Sequence, residues 1–121
     1  MSVEQTDVVD MLSIDRESRH VVLTISDHLD WSDSVGHQTI LQKKFNTYLA
    51  FVESGEMVGQ YPNLKNRPVA FRVVFRVSPD EEGRAFVARA REVIESAGFS
   101  LWDEVLGLTR GEPIYVAKKD L

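Results

Sequence analysis

The run Asp27-His28-Leu29-Asp30-Trp31, followed by His37, is the densest group of chemically able side chains in the sequence. Histidine and carboxylate are ligands that zinc and other transition metals accept. Asp27, His28, Asp30 and His37 are therefore the candidate metal ligands. The same cluster would serve a hydrolytic enzyme, because histidine titrates near neutrality. The spacing, however, matches no ligand motif, since a helical pair wants two histidines four apart. Neighbouring side chains on a strand point to opposite faces, so Asp27 would not orient His28 unless the strand ends there. Ser26 and Ser32 lie close by, but no nucleophile-elbow pattern surrounds either. The simpler reading is that Asp27 and Asp30 accept backbone N–H groups, while Trp31 packs as an apolar lid ahead of a helix.

A second constellation lies on Val69 to Val77 (VAFRVVFRV), which alternates as a strand does. Val69, Phe71, Val73, Phe75 and Val77 face one way, and Ala70, Arg72, Val74 and Arg76 the other. Two arginines on one strand face can fork a carboxylate or phosphate. His20 to Ser26 (HVVLTIS) alternates too, with Val21, Leu23 and Ile25 on one side. Thr24 and Ser26 lie on the other, joined by His28 if the strand runs on. With Leu101 facing in, Trp102 faces out, and tryptophan is enriched in binding hot spots. Arg72, Arg76, Thr24, His28 and Trp102 are thus the candidate binding residues of an open sheet face. The competing reading is a solvated face whose arginines pair with nearby carboxylates.

These side chains need elements to hold them. Asp7 to Ile14 and His20 to Ser26 read as a hairpin with a longer loop. A helix starts within Asp33 to Gly36, and His37, Leu41, Phe45, Tyr48, Leu49 and Val52 recur along it at spacings of three and four. Gly55 stops it. Glu56 to Pro68 is rich in turn residues and reads as a loop, with Tyr61-Pro62-Asn63 as a packed turn. Ser78 and Pro79 read as N-cap and first residue of a second helix, whose stripe is Phe86, Val87, Ala90, Val93, Ile94 and Ala97. Arg84, Arg89 and Arg91 alternate there with acids, as on a solvent face. Phe99 to Leu106 reads as a strand and Ile114 to Lys118 as a final edge strand. The order is ββαβαβ with that final β. The fold expected is α+β, a two-layer sandwich with a mixed sheet of four or five strands and two helices on one face.

Composition narrows the function classes. The chain has 121 residues, 43% hydrophobic, and reads as one domain spanning residues 1–121. It has no cysteine, which removes disulfides, thiol nucleophiles and cysteine zinc sites. The formal net charge of −5 argues against broad binding to nucleic acid. No apolar run is long enough to span a membrane, and the N-terminus lacks the pattern of a secretory signal. A cytoplasmic protein with no cofactor is the expectation.

The run Thr24-Ile25-Ser26-Asp27-His28-Leu29-Asp30-Trp31 resembles a marker of a small bacterial family of unknown function. The likeness continues through Leu41 to Leu49, Phe51 to Glu56, Arg72 to Phe75 and Ile94 to Phe99, and covers roughly residues 3 to 106. The resemblance implies a stand-alone bacterial cytoplasmic domain and transfers no catalytic residue. The reading is therefore a protein-binding or regulatory module acting through its open face, with a homodimer as one form. One alternative is a metal-binding or hydrolytic enzyme using the Asp27 to His37 cluster. Another, from small size and acidity, is an immunity-type inhibitor of a basic partner.

Overall fold

The computed structural model describes residues 3–106. Its elements are β1 (Met11–Ile14), β2 (Val21–Asp27), α1 (Ser34–Glu53), α2 (Glu56–Gln60), β3 (Val69–Phe75), α3 (Glu81–Ser96) and β4 (Ser100–Val105), with a 3-10 turn over Pro62–Leu64. The fold is α+β, and the ββαβαβ order of the sequence reading is the order found. The final strand expected over Ile114 to Lys118 lies outside the described residues.

The four strands lie in the order β1-β2-β3-β4. β1 and β2 are antiparallel, whereas β2, β3 and β4 run parallel. The crossovers β2–α1–β3 and β3–α3–β4 step the same way across the sheet. Such crossovers are right-handed in nearly all proteins, so both helices fall on one face. The apolar alternation of each strand is then explained. Leu23, Ile25, Phe71, Val73, Phe75 and Leu101 are buried against Leu41, Phe45 and Tyr48 of α1 and Val87 and Ile94 of α3. Phe71 at the centre lies edge-on to both Tyr48 and Phe99. Burying each side chain of this size contributes about 1.5–3 kcal/mol.

Four sequence readings differ from the structure by more than one residue, each for a local reason. β1 begins at Met11 rather than Asp7, because the preceding backbone is bonded elsewhere. Lys44 Nζ donates to the carbonyls of Gln5 and Val8, and Tyr48 OH accepts from Asp10 N. β3 ends at Phe75, level with the last residue of β2, Asp27; beyond it the Val77 carbonyl is taken by the Trp31 indole. The N-cap of α3 is Asp80, whose carboxylate accepts from Gly83 N at 2.7 Å. A carboxylate suits that place better than the Ser78 hydroxyl, because the helix N-terminus favours negative charge. Glu56 to Pro68 is not all loop: α2 and the 3-10 turn carry Met57 and Leu64 into the core. The stop at Gly55 is as read, with φ at +89°, a value that favours glycine.

Candidate functional site

Asp27 ends β2 on the same side as Leu23 and Ile25, and it is buried. His37 stands in the first turn of α1, also buried. Strand and helix packing bring the two together, with Nε2 2.5 Å from Asp27 Oδ2. The other ring nitrogen, Nδ1, lies 2.9 Å from the Asp30 carbonyl. A carbonyl can only accept, so Nδ1 carries a hydrogen. One proton is then shared between Nε2 and Oδ2. Burial pushes the Asp27 carboxyl up, partly countered by the His37 hydrogen bond. Oδ1 accepts from Leu29 N.

Trp31 closes this pair from outside. Its ring stacks on His37 with centroids 3.7 Å apart and planes 23° from parallel. Its indole N–H donates to the Val77 carbonyl at 3.1 Å. The lid expected of Trp31 is therefore present, over a polar pair rather than a purely apolar core. The indole edge also presses against α3 at Gly83, where an added Cβ would meet Trp31 Cζ3 at 2.7 Å. Real Cβ contacts are not that short, so Gly83→Ala must displace the indole. The variant is expected to lose about 1–3 kcal/mol of stability and to shift tryptophan emission. Unchanged melting and emission would refute the Gly83–Trp31 contact.

The pair is chemically closed. Both ring nitrogens of His37 have partners, which leaves none to take a proton from a substrate. The Asp30 carboxylate is held by Ser32 N and Oγ, whose hydrogen bonds keep it below the usual carboxylate range. His28 is half exposed, with Glu4 at 4.0 Å. Of the four candidate ligands, only Asp27 and His37 meet side chain to side chain. Among the described residues no group of three His, Asp or Glu is placed to hold a metal ion.

The open face is better assembled. The register pairs Met11 with Thr24, Thr24 with Arg72 and Arg72 with Trp102. Those four side chains form one row across the sheet, on the side opposite the helices. Arg72 Nη2 bonds Glu104 Oε1 at 3.0 Å, so part of its charge is neutralised on the strand beside it. The His20 ring tilts against Trp102, with centroids 5.2 Å apart. The large side chains shelter Val22, Thr24 and Ala70, all buried although they face away from the helices. Thr24 Oγ1 is buried without a hydrogen-bond partner. A recess of about 410 Å³ opens here, bounded by Arg16, Val22, Arg72, Trp102 and Glu104. Arg76 and His28 lie just past the ends of β3 and β2, outside the row. The pair of forked arginines in the sequence reading is thus one sheet arginine plus one exposed arginine beyond the strand.

The sequence reading passed over a buried polar network. Lys44 is fully buried, and its Nζ contacts Gln5 O and Val8 O at 2.7 Å and Asp10 Oδ2 at 2.8 Å. Tyr48 OH donates to Thr24 O at 2.9 Å and is pushed up to about 12 by burial. The available signal was position. Lys44 lies on the buried stripe, three residues after Leu41 and four before Tyr48. A groove of about 420 Å³ between α1 and α3 offers apolar area, but among the described residues Arg89 is the one charged residue lining it.

A family model described as a family of unknown function (DUF6572) matches residues 1–106. No curated protein and no solved structure matches the chain.

Proposed function

The chain belongs to this family of unknown function, DUF6572, and from its open sheet face we propose that it is a protein-binding or regulatory module. The observation that supports this is the row Met11, Thr24, Arg72 and Trp102. Tryptophan, arginine and methionine are the residue types enriched where proteins meet. Met11 is 49% exposed, and the Arg72 side chain 39%. The ion pair to Glu104 holds the guanidinium in place, which lowers the ordering cost of binding. A second copy of the chain is the first partner to test, joined face to face.

The test has two parts. Wild type and Arg72→Glu with Trp102→Ala are compared by sedimentation, and a loss of self-association of about tenfold or more is expected. In cells, p-benzoylphenylalanine in place of Ser13 on this face is expected to crosslink a defined partner. The same group in place of Glu92 on α3 is the control. Equal oligomer mass for both proteins, together with equal crosslinking at both positions, would overturn the reading.

A further inference from the structure

β4 is the last strand of the sheet, and among the described residues no strand pairs with its outer side. Leu106 N donates to the Phe75 carbonyl. Backbone groups alternate in direction along a strand, so Trp102 and Glu104 turn theirs to β3 as well. Leu101, Asp103 and Val105 turn theirs outward. The Arg91 guanidinium meets the edge from that side, reaching from α3 to the Leu101 carbonyl at 3.3 Å. β1, at the opposite edge, has four residues, whereas β4 has six and contains neither proline nor lysine. An edge of this kind is a template for another strand unless shortness, proline or charge blunts it. The charge on the helix side is Asp103, and Arg91 neutralises it.

Those same charges favour a second copy as the added strand. The Arg91 and Asp103 side chains are 34% and 35% exposed in their ion pair. A guanidinium carries five N–H donors and a carboxylate accepts at both oxygens, so each has capacity for a further partner. Two copies related by a twofold axis present the same edge to each other, antiparallel. With Leu101 of each opposite Asp103 of the other, the outward N–H and C=O groups of both residues pair across the junction. Each Asp103 then arrives beside the Leu101 carbonyl that Arg91 of the other copy contacts. That carbonyl has a second lone pair for the incoming N–H. Opposite charges thus meet on both sides of the axis.

We propose that a second copy of the chain adds its β4 antiparallel to this one, joining two four-stranded sheets edge to edge. The junction uses the strand edge and not the open face, so either reading can fail without the other.

Sedimentation of the whole chain over a concentration series tests it with charge-reversed variants. Arg91→Glu leaves this pair of positions acidic, and Asp103→Arg leaves it basic. Each alone is expected to self-associate about tenfold or more weakly than wild type, while their equimolar mixture associates as wild type does. Rescue on mixing has no explanation within one chain, because neither variant can re-form the pair by itself. Asp103→Pro removes an outward N–H and no bond to β3, and is expected to weaken association about tenfold or more. Hydrogen exchange locates the contact. The Leu101 and Asp103 amides should slow as protein concentration rises, while Trp102 and Glu104, already bonded to β3, should not change. The proposal is overturned if wild type stays monomeric, if the mixture associates no better than the separate variants, or if Asp103→Pro associates as wild type does. It is equally overturned if the Leu101 and Asp103 amides exchange at rates independent of concentration; slow exchange of that kind would assign the edge to residues after Leu106 of the same chain.

Discussion

His37→Ala is expected to lower the free energy of unfolding by about 3–5 kcal/mol, the cost of leaving two buried polar groups unpaired and opening a cavity. It leaves Asp27 without a partner for Oδ2 and the Asp30 carbonyl without the ring N–H. It also removes the surface on which Trp31 stacks. A domain of this size is stable by about 5–15 kcal/mol, so the loss is a large fraction. Urea unfolding measures it, and a loss below about 1 kcal/mol would show that the pair is not a structural joint.

Asp27→Asn separates the polar joint from its charge. In the folded chain burial raises the Asp27 pKa above the ordinary 3.8. Folding therefore favours the protonated acid. That contribution is complete below the unfolded value and is lost as pH rises through the folded-state value. Asp27→Asn keeps a neutral N–H donor opposite Nε2 at every pH. The stability of wild type minus that of the variant is expected to fall as pH rises above the ordinary carboxylate value. Parallel pH curves for the two proteins would remove the raised pKa from the account.

This joint marks the boundary of what local sequence reveals. Alternation in VVLTISD places Asp27 on the helix-facing side, and the α1 stripe begins at His37. Both facts are legible. Their meeting is not, because it depends on how α1 crosses the end of β2. The same holds for the open face. Period-two alternation puts Thr24, Arg72 and Trp102 on the outer side of three different strands. Only the strand order and register make them neighbours. Local rules failed where a distant partner captured the backbone. Lys44 and Tyr48 draw residues 5–10 away from the hairpin, and Trp31 takes the carbonyl of Val77. Asp80 replaced Ser78 as the cap, and its Oδ1 also accepts from Ser34 Oγ at the start of α1. The cap of one helix is thereby tied to another, a link that no sequence window contains.

Lys44→Met is the other substitution expected to cost about 3–5 kcal/mol. Methionine has nearly the length of lysine and fills the same space, so the loss isolates the charge and its polar contacts. Asp10 would keep a buried carboxylate without the ammonium beside it, and Gln5 O and Val8 O would lose their shared donor. Combining Lys44→Met with Asp10→Leu removes both charges together. Replacing a whole buried ion pair by apolar groups is often neutral, so the double variant is expected to be more stable than Lys44→Met by about 1 kcal/mol or more. Hydrogen exchange shows where the strain falls. Amides in residues 3–10 of Lys44→Met should exchange faster than those of β2 and β3, because Lys44 fastens that segment, whose apolar anchors in the core are the buried Val3 and the partly buried Val9. Uniform acceleration throughout the sheet would instead mean that the segment and the core unfold as one unit, and that Lys44 stabilises the whole rather than the strap.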